Sequence, residues 1–178
     1  MSAPAEALPL TAAERRAISR GAEALATRPD GSLVAIAEGR DGDATQTAAF
    51  VVGGPAFTIR RRDGYAITGA DILPGGDMVI VERRYRGGLD VSMRVRRIGA
   101  DAIAAGKVAD GPVLLEADFS AEIDNMEAIA AKVGDGEITL TLASDDNKSF
   151  WQRTLLLRFR VADPLPRRKP LKAAAAIH

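Results

Sequence analysis

The chain has no cysteine and a single histidine, His178, its last residue. Without cysteine there is no disulfide framework, no thiolate nucleophile and no cysteine-based zinc site. With the one histidine at the terminus, Ser-His chemistry, a histidine general base and histidine-rich metal sites are set aside too. Aromatic residues make up only 4%, too few for base-stacking platforms. The 24 basic and 24 acidic residues cancel. There is thus no electrostatic footprint for nucleic acid, and none is expected as a partner. No apolar run is long enough to span a membrane. Met1–Leu10 is rich in alanine and proline and lacks a basic stretch followed by an apolar one, so no signal peptide is read there. Neither a G-x-S-x-G elbow nor a glycine-rich phosphate loop occurs.

What remains for chemistry is carboxylates, amides and arginines. That inventory suits hard cations such as calcium, which take oxygen ligands. A length of 178 residues suffices for one domain with its own core. Residues 1–10 read as a flexible lead and 11–162 as the folded part. Residues 163–178, with Pro164, Pro166, Arg167-Arg168-Lys169 and an alanine run, read as a disordered tail.

Thr11-Ala-Ala-Glu14 is a capping box that predicts a short helix to about Ser19. Beyond Gly21 the pattern becomes strand-like. Glu23–Thr27 and Leu33–Glu38 flank Arg28-Pro-Asp-Gly31, in which proline presets φ and glycine accepts the left-handed position. Thr47–Val52 and Phe57–Arg61 complete a four-stranded meander. Ile67–Leu73 and Met78–Tyr85 flank Pro74-Gly75-Gly76, and Val91–Ile98 alternates as a half-buried strand should. Residues 99–112 read as loop with a little helix, and Val113–Ala117 as a strand. Met126–Val133, Ile138–Ala143 and Thr154–Val161 form a third unit.

The units repeat. Glu23-Ala-Leu-Ala26, Asp71-Ile-Leu-Pro74 and Glu127-Ala-Ile-Ala130 each precede a turn glycine and an apolar strand. Gly31, Gly76 and Gly136 recur at spacings of 45 and 60 residues. Propeller blades run to about 40–50 residues, so these spacings are one blade, then one blade with an insertion. The expected fold is all-β: a partial β-propeller of about three four-stranded antiparallel blades with one short N-terminal helix. A sandwich of short strands is the alternative.

Each repeat begins with a carboxylate: Glu23, Asp71 and Glu127. In a propeller the first strand of each blade lines the central channel, so these positions converge. A second set stands at or after the next strand's end: Glu38, Glu82 and Asp145-Asp146-Asn147, with Asp124-Asn125 just before Glu127. Converging carboxylates and amides form a cage suited to calcium. Strand-end hydrogen bonding and turn capping explain the same residues equally well. Asp30-Gly31 and Asp135-Gly136 are turn chemistry, and Asp41-Gly-Asp43 reads as a solvated loop. Arg60-Arg61-Arg62 and Arg94, Arg96 and Arg97 are expected to face solvent, and Phe150 and Trp151 to serve packing.

Three segments carry a family likeness: Arg20-Gly-Ala-Glu-Ala-Leu-Ala26; Asp71-Ile-Leu-Pro-Gly-Gly-Asp-Met-Val-Ile-Val-Glu-Arg-Arg84; and Asp124-Asn-Met-Glu-Ala-Ile-Ala130 with Ser144-Asp-Asp-Asn147, closing on Gln152-Arg-Thr-Leu-Leu-Leu157. In order and spacing they resemble the phytase-like β-propeller family, "esterase-like activity of phytase", over about residues 8–161, as its C-terminal part. The resemblance implies hydrolysis of phosphoesters or esters by a bacterial protein, periplasmic or secreted; with the carboxylate inventory the expectation is a calcium-dependent hydrolase. It places Glu23, Asp71, Glu82, Arg83, Asp124, Asn125, Glu127, Asp145, Asp146 and Asn147 on motif positions, and of these Glu23, Asp71, Asp124, Asn125, Glu127, Asp145, Asp146 and Asn147 are the expected metal ligands. Arg83 and Arg153 are expected to pair with the substrate. Ala24 and Ala128 stand where the family carries glycine. The competing expectation is a non-catalytic binding module or an inactive fragment. Full members are much longer, and about three blades cannot close a ring that takes at least four. A complementing propeller half or self-association is therefore expected to cover open, apolar flanks.

Overall fold

The computed structural model describes residues 7–39, 45–87, 90–134, 136–148, 150 and 152–162. Most of the lead, the Asp41-Gly-Asp43 loop, Asp135, Trp151 and the tail from residue 163 lie outside the described residues.

The capping box forms as expected and opens α1 (Ala12–Ala17). Thr11 Oγ1 accepts from Glu14 N at 3.2 Å, and Glu14 Oε2 accepts from Thr11 N at 2.6 Å. The other carboxylate oxygen of Glu14 accepts from Gly53 N at 2.7 Å, which ties the helix to a turn of the first sheet. The bonds from Thr11, then that from Gly53, hold the Glu14 carboxyl below its ordinary value.

Twelve strands follow: β1 (Ala22–Thr27), β2 (Leu33–Ala37), β3 (Gln46–Val51), β4 (Ala56–Arg60), β5 (Ala66–Ile72), β6 (Met78–Tyr85), β7 (Val91–Ile98), β8 (Val108–Ala109), β9 (Val113–Asp118), β10 (Met126–Gly134), β11 (Glu137–Ser144) and β12 (Leu156–Ala162). They form three sheets, ordered β1-β2-β3-β4-β8, β5-β6-β7-β9 and β10-β11-β12. All pairings are antiparallel except β4 with β8, a short parallel pair. The fold is thus all-β with one helix, arranged as a partial propeller whose described blades have five, four and three strands. The stretch 99–112, expected as loop with a little helix, has a short 3-10 helix at Ala100–Ala102 and also lends β8 to the first sheet before β9 returns to the second.

Two apolar layers bind the sheets face to face. Period 2 sends alternate residues of each strand to opposite faces. Met78 and Ile80 of β6 accordingly meet Val34, Ile36 and Ile59 of the first sheet. Their neighbours Val79 and Val81 meet Ile138, Leu140 and Leu142 of the third. The second sheet is covered on both faces. This corrects the half-buried reading of β7, whose residues from Ser92 to Ile98 are all buried.

The correction extends to its arginines. Arg94, Arg96 and Arg97 do not face solvent. Glu82, 0% exposed, receives Arg94 Nε at 2.6 Å and Arg96 at 2.6 and 2.8 Å. Arg96 continues to Asp110 at 2.7 Å and to the Arg60 carbonyl at 2.8 Å. Arg94 reaches Asp63 at 2.8 Å and lies 4.2 Å from the centre of the Tyr65 ring. Burial alone would make Arg94 easier to deprotonate; Glu82 and Asp63 reverse that and hold it charged. Arg97 pairs with Asp77 at 2.9 Å. Arg60 and Arg62 remain exposed, as expected, and both pair with Asp110. Phe150 is exposed rather than packed.

The outward face of the third sheet is not the apolar flank the sequence suggests. Lys132, Thr139, Thr141, Arg158 and Arg160 share it with small residues and Leu156.

Removing one partner of a buried ion pair leaves an uncompensated charge, at about 3–5 kcal/mol. Glu82→Ala should lower the unfolding free energy by about that amount, read from urea denaturation. A loss within about 0.5 kcal/mol, as at surface sites, would mean the two guanidinium groups find other partners.

Candidate functional site at the inner-strand bulges

The first strand of each sheet carries a one-residue bulge at an equivalent place. In β1, Ala22 pairs with Ala37 and Ala24 with Ile36, leaving Glu23 as the extra residue. In β5, Ile67 pairs with Glu82 and Gly69 with Val81, leaving Thr68. In β10, Met126 pairs with Ser144 and Ala128 with Ala143, leaving Glu127. A bulge re-aims the side chain it carries and interrupts the ladder, which is why such sites recur beside functional centres.

The following strand ends beside each bulge. Glu38 N donates to the Gly21 carbonyl at 3.0 Å, Arg83 pairs with Ala66, and Asp145 N donates to the Asn125 carbonyl at 3.0 Å. Glu38, Arg83 and Asp145 therefore occupy matching positions, one per blade. The inner strands β1, β5 and β10 pack side by side, with β5 between the others. Thr68 Oγ1 donates to the Met126 carbonyl at 2.7 Å across the second and third blades. Gly69 makes that approach possible: a Cβ there would lie 3.2 Å from the Glu127 carbonyl oxygen and 3.3 Å from Ala128 Cα.

The bulges thereby bring Glu23, Glu127 and Arg83 together, with Glu38. Arg83 Nη1 lies 3.5 Å from Glu127 Oε1, and both side chains are partly exposed. Burial first, then the charges of Glu38 and Glu127, push the Glu23 carboxyl above its ordinary value, with Arg83 opposing. Glu23 thus sits among like charges that Arg83 only partly offsets.

The other expected ligands are placed differently. Asp71 lies three residues past Thr68; its Oδ2 accepts from Ala131 N at 2.8 Å and its Oδ1 from Ile72 N at 2.8 Å. Thr68, eight residues before Gly76 as Glu23 is before Gly31, holds the place the repeat assigns to Asp71. Asp124 is buried and accepts from Arg153 N at 2.9 Å and Asn125 N at 2.8 Å. The Arg153 guanidinium, half exposed, reaches the Glu122 carbonyl at 3.2 Å and lies 3.8 Å from Asp124. Asp145 and Asp146 cap the turn after β11 through Asn147 N and Lys148 N. Asn147, at φ 47°, donates to Gln152 Oε1 at 3.3 Å. Glu82, counted among the second set of carboxylates, is buried in the arginine network instead.

Among the described residues no three carboxylates gather into a group able to hold a metal ion. One oxygen nevertheless invites a cation. Asn125, 1% exposed, donates its amide to the Asp145 carbonyl at 3.3 Å and leaves Oδ1 buried without a partner. A buried acceptor of that kind normally has one. In donor chemistry, an amide oxygen beside carboxylates suits calcium. Thr68 was not among the residues singled out from sequence, whereas Glu38 stood in the second set of carboxylates. Counting back eight residues from the turn glycine, as from Gly31 to Glu23, finds Thr68.

A family model described as Phytase-like, esterase-like activity of phytase, matches residues 1–148. No curated protein and no solved structure matches the chain.

A carboxyl raised above its unfolded value of 4.5 stabilises the fold fully only below that pH, and the contribution is lost as pH rises through the folded value. Glu23→Gln removes this titration. In metal-free buffer the variant should melt above the native protein at pH 7, and the gap should close below about pH 4. A gap that is constant with pH would show that Glu23 does not feel Glu38 and Glu127.

Proposed function

The chain belongs to the phytase-like family, and on that premise we propose that the inner-strand bulges form the ester-binding end of a hydrolase acting on phosphoric or carboxylic esters. The observation that carries this reading is Glu23, a carboxyl biased toward its protonated form beside the partly exposed cation Arg83. A general acid works best when its pKa approaches the working pH, and burial with neighbouring carboxylates moves Glu23 in that direction. In the proposed reaction Arg83 leaves Glu127 to pair with an anionic ester oxygen, since guanidinium matches phosphate oxygens two at a time. Water attacks the phosphorus or carbonyl carbon and loses a proton to solvent, the bond to the leaving-group oxygen breaks, and Glu23 gives its proton to that departing oxygen.

Calcium is proposed as the cofactor, with Asn125 Oδ1, Glu127 and Asp145 as the residues to hold it. When bound it would supply positive charge that Arg83 alone lacks against an anionic ester. Asp71, Asp124, Asp146 and Asn147 serve the loops and inter-blade bonds that support those residues, and Arg153 braces Asp124. A second reading, a non-catalytic binding module, is favoured by Asp124 and Asp145, whose oxygens already accept backbone N–H groups. A periplasmic or secreted location rests on the family alone; no helix among the described residues is long and apolar enough to cross a membrane.

Hydrolysis of an alkyl phosphate and of p-nitrophenyl phosphate, with and without calcium, tests the reading. Glu23→Gln should cut the alkyl phosphate rate by about a hundredfold and the activated ester less, since a poor leaving group needs the proton more. Wild-type protein inert toward phosphate and carboxylate esters under both conditions would favour the binding module. Independently, Glu127→Ala and Asp145→Ala should each reduce the rise in melting temperature on adding calcium. An unchanged rise would remove these residues from the cation site.

A further inference from the structure

A second charged feature lies on the outward face of the third sheet, five residues along β10 from Glu127. The register sets Lys132 opposite Thr139 and Thr139 opposite Arg160; the next row but one sets Thr141 opposite Arg158. Three cations and two hydroxyls from three neighbouring strands thus line one shallow cleft of about 290 Å³. Among the described residues none of the three cations has an ion-pair partner. Like charges gathered on one face of a sheet repel one another, and an anion seated among them would relieve that repulsion.

Edge strands often carry lysine or arginine to discourage pairing with other chains, and β12 could owe Arg158 and Arg160 to that. The explanation fails for Lys132. It stands on β10, the sheet's opposite edge, and that edge is already covered by β5 of the neighbouring blade, through Thr68 to the Met126 carbonyl and Asp71 to the Ala131 amide. The two charged strands flank β11, whose Thr139 and Thr141 lie between the cations and add donors at the floor of the cleft.

We infer that this cleft binds a small ligand with two neighbouring phosphoryl groups. Its volume falls at the lower end of small-molecule sites, about 300–1,000 Å³, which favours such a ligand over a macromolecule. Arginine offers the paired donors that match phosphate oxygens, and lysine adds a point charge. Lys132 and Arg160 sit two strands apart, about 10 Å, and Arg158 and Arg160 stand at alternate residues of one strand, about 7 Å apart. That spread exceeds one phosphate and suits two in tandem.

Isothermal titration of the full chain with inorganic pyrophosphate, inorganic phosphate and a sugar bisphosphate tests the inference. Pyrophosphate should bind saturably and more tightly than phosphate. Binding of the sugar bisphosphate as well would mark a phosphorylated metabolite as a source; pyrophosphate alone would mark the inorganic anion. Arg158→Ala with Arg160→Ala should weaken pyrophosphate binding about tenfold or more, and Lys132→Ala should weaken it independently. All three side chains are exposed, so circular dichroism and melting should stay as in the native protein. Arg83→Ala should leave unchanged the component of pyrophosphate binding that depends on Arg158 and Arg160, whatever it removes at the proposed ester site, which separates the two. Absence of saturable binding, or saturable binding unaffected by the Arg158 and Arg160 changes, would overturn the inference.

Discussion

The close approach of β5 to β10 governs how everything else is placed. Gly69 lets the backbone of β10 come within van der Waals distance, Thr68 bonds the Met126 carbonyl, and Asp71 bonds the Ala131 amide. These contacts set the two inner strands in fixed register. Because each strand bulges at an equivalent residue, the register also decides that Glu127 meets Arg83 rather than a neighbour one residue away. A one-residue slip would turn every side chain of β10 to the other face and empty the third sheet's half of the core.

The second sheet carries an unusual load. Apolar residues cover both its faces, yet Glu82, Arg94 and Arg96 lie buried between it and the first sheet. Isolated charges there would be expensive, but each guanidinium ends on a carboxylate and a main-chain carbonyl. Buried groups satisfied so fully admit few alternative arrangements. The network therefore fixes how β6 and β7 sit against the end of β4, and with it the end of β6 that presents Arg83.

Much of the fold was legible. Pro-Asp-Gly and Pro-Gly-Gly carry turn chemistry with a steric cause, and the strands on either side were found to within a residue or two. The site was legible in part. The Glu-Ala-[Leu/Ile]-Ala repeat marked Glu23 and Glu127, but matching by residue type put Asp71 in the series where position puts Thr68. A bulge leaves no local trace that a pattern of side chains reveals. Arg94 and Arg96 were misread because alternation reports two faces, not what covers them. Their partners Glu82, Asp63 and Asp110 come from other segments, and no spacing rule links them. Asp145, Asp146 and Asn147 carried both readings at once, since the oxygens that suit a cation also suit the amides of a tight turn.

The parallel pairing of β8 with β4 has a consequence for synthesis. The first sheet receives its outermost strand only after β5, β6 and β7 have been made. On a ribosome that adds about 5–20 residues each second, the emerging first blade waits several seconds with the β4 edge unpaired. Through that interval Arg60 and the neighbouring Arg61 and Arg62 stand at the end of the bare strand, where positive charge discourages other chains from pairing with it. Arg60 and Arg62 later meet Asp110, which arrives just after β8 as that strand covers the β4 edge.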